Sequence, residues 1–186
     1  MIQPRFWFRL ALLSFGLLEG VPLLHAGEEV LLDLCAYHRD PNGSSSRPYE
    51  YAFGEWNKHV LDFNGRGTLI KAPNGKGGIG ENKTSLEPGK SALVDLQFVI
   101  GNGNKAAAIN LSLEDRDGTE QSWAVPLEGA AGQLVRVRLD LSKPTTETKP
   151  GTTAGLNLKK LNTWQIRGDW SDRVVEVLLV KLTAAK

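Results

Sequence analysis

Cysteine is almost missing from this chain of 186 residues. Cys35 stands alone, so an internal disulfide is excluded and stability has to come from an apolar core. Its neighbours, Val30-Leu31-Leu32-Asp33-Leu34, make it read as a small apolar filler rather than a nucleophile. Histidine is scarce too, with three in the chain, and no His or Cys pair stands at zinc-ligand spacing. There is no G-x-S-x-G elbow and no Ser/His/Asp order, so no catalytic machinery is legible. Charge bias is absent: the formal net charge of +1 gives no global field for nucleic acid or an anionic membrane. Arg47, Arg66, Lys71, Lys76 and Lys83 are scattered and read as a solvated face. The apolar run Leu10–Leu18 is too short to span a bilayer comfortably.

What is present begins with that run. Arg5 and Arg9 precede it, and Val21-Pro22-Leu23-Leu24-His25-Ala26 carries it into polar Gly27-Glu28-Glu29. A basic start, a short apolar centre and a terminal small residue are the three parts of a secretory signal. Residues 1–26 are therefore expected to be a signal peptide, cleaved after Ala26, with 27–186 forming one domain that is secreted or periplasmic and has no stable membrane insertion. Two of the 22 basic and one of the 21 acidic side chains lie in that leader, so the remainder is neutral.

Beyond residue 30 the chain alternates. Val94, Leu96, Phe98 and Ile100 share one side of a period-two segment, with Asp95 and Gln97 on the other. Ile109, Leu111 and Leu113 repeat the pattern after Gly101-Asn102-Gly103-Asn104, and Asp115-Arg116-Asp117-Gly118 turns the chain towards Trp123 and Val125. Val135 to Leu141 alternates with Arg136, Arg138 and Asp140. Trp164 and Ile166 alternate with Gln165 and Arg167, and Val174–Leu182 closes the chain. Val30–Ala36, His59–Phe63 and Thr68–Ala72 supply three shorter strands, while 39–56 and 142–156 read as loops. About eight strands with turns between them and no convincing helix predict an all-β protein, an antiparallel sandwich or barrel.

The stretch Gly75-Lys76-Gly77-Gly78-Ile79-Gly80-Glu81 contains G-x-G-x-x-G, a spacing found where glycines cradle a phosphate. Such a loop needs a helix starting at its end and parallel strands around it. Here Pro88-Gly89 stops any helix, and Glu81 puts a carboxylate where phosphate charge would sit. The run is expected to be a flexible loop between strands, with no nucleotide as partner.

From Trp56 onward the chain resembles the galactose-binding-like jelly rolls, which include carbohydrate-binding modules and CIA30-type domains. The resembling pieces are Leu69-Ile70-Lys71-Ala72 with Gly77-Gly78-Ile79-Gly80, then Gly103-Asn104-Lys105 before Ile109–Leu113, Asp115-Arg116-Asp117-Gly118-Thr119 leading to Trp123, and Leu161-Asn162-Thr163-Trp164-Gln165-Ile166. The resemblance implies a jelly-roll sandwich that holds a glycan on a sheet face or edge loops, often with a structural calcium bridging the first and last strands. Asp33 and Glu176 are the strand carboxylates such an ion would use, although Lys181 would repel it; no other cofactor is implied.

A sugar ring has a polar rim and a flat C–H face, so it rests on an aromatic ring beside hydrogen-bonding side chains. Trp123 and Trp164 share faces with Val125 and Ile166 and belong to the core. Trp56, Trp170, Tyr49 and Tyr51 sit among loop-forming residues with Arg47 and Asp172 close by, and these six are the candidate ligand residues. The alternative is that the four rings plug the sandwich ends, and that the domain is a cell-envelope structural or protein-binding sandwich.

Overall fold

The computed structural model describes residues 29–35, 38–39, 45–62, 65–88, 92–151 and 155–185. The expected signal peptide lies outside them. The strands in chain order are β1 (Val30–Asp33), β2 (His38–Arg39), β3 (Ser45–Ser46), β4 (Tyr51–Gly54), β5 (Val60–Asp62), β6 (Thr68–Ala72) and β7 (Gly77–Asn82), followed by β8 (Leu93–Ile100), β9 (Ala108–Asp115), β10 (Glu120–Pro126), β11 (Leu134–Asp140), β12 (Thr146–Lys149), β13 (Leu161–Gly168) and β14 (Val175–Ala184). Six strands form a first sheet in the order β11-β8-β14-β6-β5, with β1 also paired to β14. Six more form a second sheet, β12-β10-β9-β13-β7-β4, and β2 and β3 make a separate hairpin. Every pairing is antiparallel. The result is a β-sandwich: of the sandwich and barrel that the alternation allows, it is the one the jelly-roll resemblance implies.

The inward positions are those the period-two pattern selects. Val94, Leu96 and Phe98 of β8, Val177 and Leu179 of β14, and Ile70 of β6 are fully buried from the first sheet. Ile109, Leu111, Val125, Trp164, Ile166 and Ile79 meet them from the second, and Trp123 is nearly as deep. Burying each of these large side chains contributes about 1.5–3 kcal/mol. In β14 the register shifts between Leu179 and Lys181, a bulge that changes the phase of the strand. Leu182 is thereby buried, and Lys181 pairs with Gln97 on the outer side.

Three expected loops contain ordered backbone. Gly77–Asn82 is strand β7, inside the second sheet between β13 and β4, not a flexible loop. Its glycines are there because of what lies above them: a Cβ on Gly78 would come 2.8 Å from the Phe53 ring, and one on Gly80 would come 2.8 Å from the Tyr51 hydroxyl. Within 39–56, Tyr51–Gly54 forms β4 on the sheet edge and leads into a 3-10 turn, Glu55–Lys58. Within 142–156, Thr146–Lys149 forms β12 on the opposite edge, paired to β10. Edge strands need little apolar alternation, because only one side is paired and one face sees water. No helix among the described residues is long and apolar enough to cross a membrane.

Candidate functional site

The outer face of the second sheet is unusually well furnished. Cross-strand registers align Ser122, Ser112, Gln165, Gly80 and Tyr51 in one row, on β10, β9, β13, β7 and β4. The neighbouring row is Ala124, Asn110, Arg167, Gly78 and Phe53. On the other side lie Glu120 and Glu114, directly opposite one another, then Thr163 and Asn82. These residues face away from the core because their strand neighbours Trp123, Leu111, Ile166 and Ile79 face into it.

Polar side chains on this face tie strands together at a distance. Gln165 Nε2 donates to the Tyr51 hydroxyl at 3.0 Å, bridging from β13 to β4 across Gly80. Arg167 reaches the other way: Nη2 donates to Ser122 Oγ at 2.8 Å and Nη1 pairs with Glu120 Oε1 at 3.0 Å. Ser112 and Ser122 share a short hydrogen bond beneath it. Lys149 stands 3.8 Å from Glu114. The Tyr51 and Phe53 rings lie side by side, centroids 6.2 Å apart and tilted by 40°. Burial raises the Tyr51 pKa, against a smaller lowering by the Gln165 bond, with the nearby carboxylates of Glu50, Glu114 and Glu120 adding lesser upward pushes. The phenol therefore keeps its proton, and because Gln165 uses the oxygen as acceptor, that proton remains available to donate.

Two aromatic rings thus reach over two glycines, bordered by a carboxamide and a guanidinium fixed by their own bonds. Glycine supplies the clearance, the rings supply an apolar surface, and Gln165, Arg167 and the Tyr51 hydroxyl supply oriented hydrogen-bonding groups. This pattern suits a ligand with a flat apolar side and a polar rim.

The six candidate ligand residues are spread over four places. Tyr51 is the one on this face. Trp56 is fully buried, and its indole Nε1 donates to the Asn74 carbonyl at 3.2 Å. It is a plug of the sandwich end and not an exposed platform, because the 3-10 turn that carries it points its only large apolar group inward. Tyr49 is buried as well, with the Arg47 guanidinium 5.8 Å from its ring centroid. Tyr49 and Arg47 line a cavity of about 800 Å³ with Glu50, Glu81 and Thr84. The cavity's carboxylates have structural partners: Glu81 accepts from Trp164 Nε1 at 2.9 Å and Thr84 Oγ1 at 3.0 Å, and Glu50 accepts the Asn82 amide at 2.7 Å. Trp170 and Asp172 lie in the turn after β13. Trp170 is 57% exposed with φ of 63°, a left-handed backbone that costs a bulky residue roughly 1–2 kcal/mol. That turn is fastened by reciprocal backbone bonds between Gly75 and residues 170 and 171, and Asp172 pairs with Lys76.

The two metal candidates do not converge. Asp33 accepts the Cys35 amide at 2.9 Å and sits opposite Lys181. Glu176 accepts the Gly103 amide at 3.0 Å, with Lys71 at 3.9 Å. Glu176 and Lys181 are five positions apart on β14, roughly 17 Å along a strand, so the carboxylates belong to separate places, each with a lysine beside it. They do not fit a bridging calcium. Among the described residues, no three His, Cys, Asp or Glu side chains form a metal-holding group.

Phe53, Gln165, Arg167, Ser112, Ser122, Glu114 and Glu120 were outside the sequence-derived set. The alternation does set Gln165 and Arg167 opposite Trp164 and Ile166. Which outward rows line up depends on register across β10, β9, β13, β7 and β4, and that appears only in the assembled sheet.

No family model matches this chain, and no curated protein does either. Solved structures do. The family 11 carbohydrate-binding module of a cellulosomal cellulase from Clostridium thermocellum superimposes with a TM-score of 0.54 at 9% identity, over 86% of this chain and 95% of the module. An agarase superimposes with a TM-score of 0.53 at 11% identity, over 85% of this chain; the chain spans 26% of that enzyme. At such identities the likeness speaks for architecture alone: two antiparallel sheets arranged as in a carbohydrate-binding jelly roll.

Proposed function

We propose that this chain is a non-catalytic carbohydrate-binding module, exported by its leader, that holds a glycan across the outer face of the second sheet. The observation that carries this reading is the pair of rings, Tyr51 and Phe53, laid over Gly80 and Gly78 beside Gln165 and Arg167. A pyranose stacks its C–H face on the rings, the Tyr51 hydroxyl and Gln165 carboxamide meet its hydroxyls, and Arg167 holds the far side of the track. Glu114 and Glu120 face each other on this sheet, as a hydrolase's paired carboxylates would, but both are engaged by cations, Glu120 by Arg167 and Glu114 by Lys149. They serve better as positioning and hydrogen-bonding groups. The likeness in fold to a carbohydrate-binding module supports the reading without naming the sugar.

The test is electrophoresis of the purified chain through native gels containing soluble polysaccharides, beginning with agarose and a soluble cellulose derivative, the polymers suggested by the two neighbours. Retardation by at least one neutral polymer, relieved by its own oligosaccharides, is expected. Unretarded migration through a broad panel of neutral and charged glycans would remove the basis of the proposal.

A further inference from the structure

Trp170 stands apart from the packing of the sandwich. Period two along β13 sets Trp164, Ile166 and Gly168 on the buried side, and residue 170 would continue there. Instead the backbone turns left-handed, with φ of 63°, and the indole is more than half exposed. That conformation is unfavourable for a bulky side chain, whereas glycine adopts it freely. An indole left in water also forgoes most of what burial would contribute. Nothing in the fold offsets the strain, a combination that points to a ligand outside the chain.

The turn that carries the ring is fastened. The Trp170 amide donates to the Gly75 carbonyl at 3.2 Å, and the Gly75 amide donates to the Ser171 carbonyl at 2.9 Å, so the pairing of β7 with β13 carries on past Gly168. Asp169 accepts from the Ser171 amide at 3.1 Å and its hydroxyl at 2.7 Å. A ring presented on such a turn loses little freedom on binding. The ladder also relates it to the aromatic track. Arg167 is opposite Gly78, and Gly78 is opposite Phe53. Trp170 follows Arg167 by three residues, at most about 10 Å along the strand, and β13 is two strand spacings, about 9.5 Å, from β4. Trp170 therefore lies beyond the Phe53–Arg167 row, on the order of 14 Å from Phe53, backbone to backbone. Around it are the Lys76–Asp172 ion pair and exposed Arg173, with Val174 the one exposed aliphatic neighbour. A lone ring among hydrogen-bonding groups suits the C–H face and hydroxyl rim of a sugar. A protein partner would need a broad face of roughly 800 Å² with an apolar centre, which a turn this small does not offer.

We infer that Trp170 is a further stacking platform, met by a glycan that runs from Tyr51 and Phe53 across Arg167 to the end of β13, so that the site favours long chains over short ones. This rests on the glycan site proposed for the second sheet and adds a ligand class to it: a polymer engaged over several sugar units, in preference to a mono- or disaccharide.

Titration calorimetry with a disaccharide and a hexasaccharide, both cut from the polysaccharide that retards the native chain, tests it. Trp170→Ala should weaken the hexasaccharide at least about tenfold and leave the disaccharide within about twofold, whereas Tyr51→Ala should weaken both. Trp170→Phe keeps a ring and should keep most of the affinity. Trp170→Gly separates ligand from fold: it relieves the backbone, so the melting temperature should hold or rise while hexasaccharide affinity falls as in Trp170→Ala. Among the described residues the other tryptophans, Trp56, Trp123 and Trp164, are buried, so the acrylamide-quenched fluorescence that Trp170→Phe removes reports this ring. The hexasaccharide should shield it and the disaccharide should not. A Trp170→Ala chain that binds the hexasaccharide like the native one overturns the inference, and the second-sheet site stands if Tyr51→Ala still weakens binding. Equal weakening of both lengths by Trp170→Ala overturns it too, as does a melting temperature that Trp170→Gly lowers as far as Trp56→Ala, since the ring is then structural. A native chain that no glycan retards removes the second-sheet site and this extension together.

Discussion

Tyr51 is the residue on which the proposed glycan site turns, and its truncation can be worked through from the structure. The ring is half-buried on edge strand β4, lies over Gly80 and accepts a hydrogen bond from Gln165. Tyr51→Ala removes a partly buried ring, worth roughly 1 kcal/mol of burial, and a hydrogen bond worth about 0.5–1.5 kcal/mol. An edge strand backed by a core this extensive should survive that loss. Binding should suffer more, since cutting back an aromatic anchor at an interface costs about 2 kcal/mol or more, which is roughly thirtyfold in dissociation constant. Tyr51→Phe keeps the ring and loses only the hydroxyl, so it should weaken binding about two- to twelvefold. Affinity electrophoresis in the polysaccharide that retards the native chain should rank native above Tyr51→Phe above Tyr51→Ala. Thermal unfolding recorded in parallel should show modest losses. A Tyr51→Ala chain retarded as strongly as the native one refutes the placement of the site.

Three further outcomes follow from side chains elsewhere. Trp56→Ala empties a fully buried indole site and should cost about 3–5 kcal/mol, lowering the calorimetric melting temperature by several degrees or more; Trp170→Ala should hardly move it, and equal shifts for the two would contradict their placement. Cys35 has its thiol pushed up from 9.0 to about 11, chiefly by burial and then by the Asp33 charge, so its thiolate is about a hundredfold scarcer than at an ordinary site below pH 9. Iodoacetamide should alkylate the native chain about a hundredfold more slowly than the unfolded chain, and the neutral-thiol contribution to stability, present below pH 9, should fade as pH rises through 11. Asp140 is held at about 2, against an ordinary 3.8, first by the Ser142 hydroxyl and then by Lys143. Its contribution is present above about pH 4 and lost as pH falls through 2, and Ser142→Ala should move its NMR titration midpoint upward; an unmoved midpoint counts against the hydroxyl as the cause.

The first sheet was the more legible part of the sequence. In β8 apolar residues repeat at every second position and β14 is mostly apolar, so both read as strands; the structure buries Val94, Leu96, Phe98 and Ile100 of β8 and Val175, Val177 and Leu179 of β14. The β14 bulge sits inside a nearly continuous apolar run, where a change of phase leaves no mark in composition. In the second sheet, β7 was misread because Gly-Gly-Ile-Gly offers one apolar side chain, and glycine as a turn former is the stronger local signal. What makes it a strand is tertiary: the Phe53 and Tyr51 rings occupy the volume that side chains on Gly78 and Gly80 would fill. The same cause hid the candidate site. Trp56 and Tyr49 looked exposed because their neighbours are polar, yet large rings close the sandwich end, and neighbours in sequence report poorly on depth in a short 3-10 turn or a rim segment.

The two outward faces are made from different strands with opposite chemistry. The aliphatic row Leu134, Val99, Leu178, Leu69 and Leu61 draws on β11, β8, β14, β6 and β5, whereas the aromatic track draws on β4, β7 and β13, with β9 and β10 supplying its polar side. Side chains alternate between core and surface along every strand, so the outward set of one sheet can change without touching the outward set of the other. The proposed site on the second sheet is therefore open to substitution tests that leave the first sheet as an internal control.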